Sequence, residues 1–163
     1  MTTPQSLRTL SVEHRSLYCD RTFDEVHRAL IDSLPALQPE VSEILVRGEK
    51  EKVAIARRDW PKLWLFLVRN HGELIAADGQ TSKGMQYEIG NPLTAERMTR
   101  HALAAGLYAP LRVMLYEDKS GKAIFQYDLP SSLFGQFGDE RITQVARELD
   151  AELETVLRSA RGA

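Results

Sequence analysis

The sequence predicts an α+β fold: a single antiparallel, curved sheet of about five or six strands with helices packed on one face. Three observations predict it. Short apolar segments alternate with period two and are joined by tight turns at Asn70-His71-Gly72 and Lys119-Ser120-Gly121. Ile142, Val145, Ala146, Leu149, Leu153, Val156 and Leu157 form one apolar stripe over about four helical turns. Between these, Met85 to Asp118 reads as strand, capped helix and strand with no spare residues.

Taken in order, residues 1–9 are polar and read as a mobile tail, and residues 10–163 as one domain. Leu10 to Cys19 alternates loosely and reads as an edge strand. Thr22-Phe23-Asp24-Glu25 is a capping-box pattern, followed by Phe23, Val26, Ala29, Leu30 and Leu34 at helical spacing. Residues 35–61 read as a variable insert. A short helix follows Pro39, and the charge-rich Glu49 to Asp59 is a helical insertion or a hairpin arm. Lys62 to Arg69 is apolar on both faces, which predicts a central strand covered on both sides. Glu73 to Ala77 reads as the returning strand.

Met85, Tyr87 and Ile89 then alternate with polar residues. Asn91 is a good N-cap, and Pro92 fits the first helical position, where a missing N–H costs nothing. Gly106 reads as the stop of that helix. In the next strand Leu111, Val113 and Leu115 point one way, and Arg112, Met114 and Tyr116 the other. Ala123 to Asp128 returns. Pro130 to Gly138 reads as a loop carrying Leu133, Phe134 and Phe137, and Asp139 caps the last helix.

Composition bounds the function. The chain has 163 residues, 43% of them hydrophobic, enough for one real core. A net charge of −2 and a pI near 6.1 supply no basic stripe, so no nucleic-acid partner is expected. Cys19 is the sole cysteine, which excludes a disulfide within the chain and a cysteine-rich metal site. The longest apolar run, Leu63 to Val68, is too short to span a bilayer. No membrane association is expected, and the expected location is cytoplasmic.

Several residues together carry a resemblance. These are Val68-Arg69-Asn70-His71-Gly72, a strand ending in Gly90-Asn91-Pro92, and Gly106-Leu107-Tyr108-Ala109-Pro110-Leu111-Arg112 running into Glu117-Asp118 and Gly121. In that order, over roughly residues 64–135, the chain resembles the Domain of Unknown Function 302 family. The resemblance implies a TATA-box-binding-protein-like sheet-and-helix arrangement, often in homodimers, and no particular activity. Against the family pattern, Asn70 stands where an acidic residue is expected before the histidine.

Candidate chemistry is sparse. His71 is the titratable residue best suited to act as ligand, base or acid, although a turn histidine bonded to neighbouring backbone is the simpler explanation. Arg112, in mid-strand, needs a carboxylate partner, for which Glu88 is the candidate, and it could alternatively anchor an anionic ligand. No His-x-x-x-His or His-Glu-x-x-His pair is present, so no metal site is expected and no cofactor is indicated. Glu117-Asp118 is explained by turn chemistry, Cys19 by packing, and His27 and His101 by solvated helix faces. The sheet face away from the helices mixes apolar and polar side chains, which motivates the leading expectation. A small molecule binds there or under the Ser131–Phe137 loop, contacted by His71, Arg112 and Tyr116, with Phe134 or Phe137 as a lid. The alternatives are a homodimeric interaction protein without ligand and, third, an enzyme using His71.

Overall fold

The computed structural model describes residues 6–76 and 78–162; of the expected tail, residues 6–9 are described and have no regular structure. Strand β1 (His14–Tyr18) leads to helix α1 (Phe23–Ser33). The capping box forms as expected: Thr22 N donates to Glu25 Oε2 at 2.9 Å, and Glu25 N donates back to Thr22 Oγ1 at 3.4 Å. That start angle turns Phe23, Val26 and Leu30 into the core.

The segment read as an insert holds helix α2 (Pro39–Val46) and helix α3 (Lys50–Asp59), so the charge-rich stretch is helical. Arg57 and Arg58 in the last turn of α3 suit the negative end of its dipole. Before α2, the chain runs beside strand β2 (Trp64–Asn70). Leu65 N donates to Pro35 O and Leu37 N to Leu65 O, both at 2.9 Å.

The remaining elements are α4 (His71–Ala76), β3 (Gly84–Gly90), α5 (Pro92–Thr99), β4 (Leu111–Glu117), β5 (Ala123–Asp128), α6 (Pro130–Phe134) and α7 (Glu140–Arg161). All five strands pair antiparallel in the order β1-β5-β4-β3-β2. The expected edge position of β1 is correct; the expected central position of β2 is not. The apolar run misleads because the register slips between Leu65 and Leu67, making Phe66 an extra residue that breaks the alternation. Leu65 and Val68 face the core, while Leu67 is 42% exposed.

The expected strand at Glu73 to Ala77 is instead helix α4 over residues 71–76; Ala77 lies outside the described residues. Asn70 Oδ1 accepts from Glu73 N at 3.1 Å and starts the helical turn. Gly72 is required there by close approach: a Cβ would stand 2.2 Å from Ser82 O. Two other boundaries shift. Helix α5 ends at Thr99 rather than near Gly106, and a 3₁₀ turn (Leu103–Tyr108) fills the gap. The expected loop at 130–138 is α6 followed by a second 3₁₀ turn (Gly135–Phe137).

The core lies between one sheet face and the helices. Tyr87, Ile89, Val113, Leu115 and Phe125 meet Val26 and Leu30 of α1, Met98 of α5, and Ile142, Leu153 and Leu157 of α7. Each such aliphatic or aromatic side chain contributes about 1.5–3 kcal/mol by leaving water. Asp139 caps α7 through its side chain, accepting from Arg141 N at 2.9 Å.

Candidate functional site

Strand β3 hands the chain to α5 at Gly90-Asn91-Pro92, and β4 begins beside this corner at Ala109-Pro110-Leu111. Asn91 fixes the corner with both ends of its amide. Its Oδ1 accepts from Leu93 N at 2.8 Å and Thr94 N at 3.4 Å. Its Nδ2 donates to Pro61 O at 3.0 Å and Lys62 O at 3.1 Å. The cap therefore also ties the entry to β2 against the start of α5.

Beneath this corner lies a crevice of about 120 Å³. Phe66, Met98, Pro110, Leu111, Phe134 and Leu149 supply apolar wall, and Pro92 and Ala95 the near face of α5. The polar side chains lining it are Asn91, already committed as cap, and Thr94. Gly90 leaves the room: a Cβ there would rest 3.5 Å from Pro110 Cβ and 3.6 Å from the Phe66 ring, in ordinary contact. Two of the three segments quoted for the resemblance thus line one cavity.

A second, polar groove lies on the other side of the first turn of α5, lined by Arg57, Trp60, Lys62, Arg97 and Glu152 among others. Its cations are already matched: Arg57 with Glu96 at 3.2 Å, Lys62 with Glu152 at 3.6 Å and Arg97 with Glu148 at 2.7 Å. Burial pushes the Glu152 carboxyl up from its ordinary value, only partly offset by Lys62. A groove so balanced offers little to an anion.

The five residues expected to form a site fall into separate places. Phe134 is fully buried and lines the crevice. Phe137 is half-buried and packs edge-on against Tyr108 at 6.3 Å, which in turn meets Phe134 at 6.0 Å. Arg112 and Tyr116 lie on the open sheet face. Arg112 is exposed rather than partly buried. Its register partner is Glu88, as expected, but Glu88 Oε1 takes Arg69 at 2.5 Å. His71 opens α4 close to Gly84, which pairs with Tyr116. Its Nε2 is buried with no hydrogen-bond partner among the described residues. His71, Met114 and Tyr116 therefore gather at one end of the open face, well removed in the fold from Phe134 and Phe137. No nucleophile–base–orienter set is assembled around His71 among the described residues. No cluster of metal-ligating side chains is present among them either.

Sequence reasoning missed Phe66, Met98 and Leu149, whose spacing marks them only as core. The available signal was Gly90: a glycine inside a strand marks a place where something approaches the backbone. His27 also departs from expectation. It is half-buried, with Nδ1 at 2.7 Å from the Tyr87 hydroxyl, and burial pushes that phenol well above its ordinary pKa.

One antiparallel sheet backed by helices on one face, with an apolar crevice at a strand-to-helix corner, defines a small α+β domain. The chain belongs to the Domain of Unknown Function DUF302 family, whose family model matches residues 61–160. The crystal structure of an uncharacterized conserved DUF302 protein from Bacillus stearothermophilus has the same fold. Its TM-score is 0.66 at 16% identity, over 91% of this chain and 98% of that one. Comparison with curated proteins gives no match. Among the described residues, no helix is long and apolar enough to cross a membrane.

Proposed function

We propose that the protein is a small-molecule-binding module whose site is the crevice beneath Gly90-Asn91-Pro92 and Ala109-Pro110-Leu111. One observation carries this reading. An apolar cavity is left open at a corner that Asn91 holds rigid, where a single methyl on Gly90 would fit without clash. A fold selected for packing alone gains by filling such a space. Binding in a preformed cavity raises stability by mass action, about 2.7 kcal/mol at a hundredfold excess over Kd. Screening small apolar compounds by thermal shift tests the reading. The expected result is a rise in melting temperature that Gly90→Ala abolishes. Because Gly90 has no positive φ, the variant itself is expected to be as stable as the parent or more so, by about 0.4–1 kcal/mol. A rise that survives Gly90→Ala, or no rise with any compound, overturns the assignment.

A second reading is supported by the open sheet face. Tyr18 is 58% and Leu67 42% exposed there, on the two opposite edge strands, so a homodimer covering the whole face would bury both. Sedimentation equilibrium at micromolar concentration tests it, and a strict monomer eliminates it.

A further inference from the structure

Resting on that reading of the crevice, we infer the class of its ligand: a compact, uncharged apolar molecule of about benzene's size, not an acid or an amine. Three features of the site carry this. The first is size. The cavity is about 120 Å³, close to the roughly 150 Å³ of an apolar cavity known in another protein to accept benzene. A long acyl chain or a nucleotide would extend well outside it.

The second feature is the wall. Carbon from Phe66, Met98, Leu111, Phe134 and Leu149 surrounds the space, and no charged side chain lines it. A carboxylate or ammonium entering would lose its hydration with nothing to replace it. The cations of the neighbouring groove are engaged with carboxylates, as Arg97 is with Glu148.

The third is the rim. The exposed amides of α5 that would otherwise attract an anion are taken by Asn91 Oδ1. The Asn91 amide N–H groups are spent on Pro61 O and Lys62 O. Thr94 is the one polar side chain on the wall whose hydroxyl makes no hydrogen bond among the described residues. The site therefore tolerates one hydroxyl on the ligand and rejects a full charge. Gly90 sets the clearance, and Phe66, the extra residue of the β2 bulge, forms wall beside it.

The experiment uses the full chain with ¹³C-methyl labelling of methionine and leucine, titrated with benzene, phenol, benzoate and benzylamine at one pH near neutrality. The Met98, Leu111 and Leu149 methyls line the cavity, whereas the Met114 methyl sits on the open sheet face and serves as an internal control. The expected result is saturable movement of the three lining methyls with benzene and phenol and none at Met114. Benzoate and benzylamine should bind at least tenfold more weakly. In Gly90→Ala, the saturable movement with benzene should be lost while the methyl spectrum remains dispersed. Benzoate or benzylamine matching benzene would overturn the ligand class and leave the crevice as a site. Failure of all four probes to move the lining methyls would overturn the binding-module reading itself.

Discussion

Among the described residues, the Tyr87 hydroxyl is the one polar group that a fully buried core side chain carries across to α1. Burial keeps it protonated, and it shares one hydrogen bond with His27 Nδ1 at 2.7 Å. Tyr87→Phe removes the hydroxyl and leaves a half-buried ring nitrogen without that partner. The expected loss is about 1 kcal/mol, read by urea unfolding. An unchanged midpoint would show that the pair is energetically neutral. Asp139 carries a different consequence. The Arg141 side chain and backbone N–H hold its carboxyl down from 3.8 to about 2. The folded value lies below the unfolded one, so the unfolded chain binds the proton more tightly. The contribution is complete above the unfolded value and is lost as pH falls through the folded one. Asp139→Asn keeps a capping oxygen but cannot titrate. The stability difference between parent and variant should be constant near neutrality and shrink as pH falls from 3.8 towards about 2. A difference that does not depend on pH would mean that charge plays no part in this cap.

Among the elements, α5 owes its start to one residue. Asn91→Ala frees Leu93 N and Thr94 N and also unties Pro61 and Lys62 from the corner. An N-cap alone is worth about 0.5–2 kcal/mol. With the second tether lost, the expected cost lies at or above the upper end of that range, measured by denaturant titration. A cost below about 0.5 kcal/mol would refute the double role. This cap was legible in the sequence, because an acceptor side chain followed by Pro has few other uses. So were the Thr22–Glu25 box and the stripe of α7. Helix α4 was not. Its six residues suit either state, and the decision fell to Asn70 Oδ1 and to the packing of Gly72 under Ser82. The bulge at Phe66 was invisible for a related reason: an extra residue in a strand leaves no composition signal, only a broken alternation that resembles full burial. Since Phe66 is also a wall of the crevice, missing the bulge meant missing the site. His71, Arg112 and Tyr116 drew attention through their chemistry, and alternation put Arg112 and Tyr116 on the open face, but spacing does not reveal which end of a sheet a residue reaches.

At the scale of the molecule, the chain is closed by contacts far apart in sequence. Strand β1 pairs with β5, Asp20 N donates to Arg161 O at 3.1 Å, and α1 packs along α7 and the sheet. The family model covers residues 61–160 and so omits both β1 and α1. Yet Phe23, Val26 and Leu30 of α1 are core residues, with Val26 and Leu30 wholly sequestered. Stripping them from Val113, Phe125 and Leu153 would expose apolar surface worth several kcal/mol, comparable with the whole stability of a domain this size.

That dependence makes the protein divisible in a useful way. Gly48 sits in the exposed link between α2 and α3, with φ +64 and open space around it. A backbone cut there separates two pieces that each lack part of one interior. Neither piece should fold by itself, and mixing them should restore a dispersed spectrum and co-elution at the size of the intact chain. If the larger piece folds unaided, α1 is ornament rather than keystone. If the two reassociate, they form a two-part reporter whose joining can be tuned by whatever occupies the crevice.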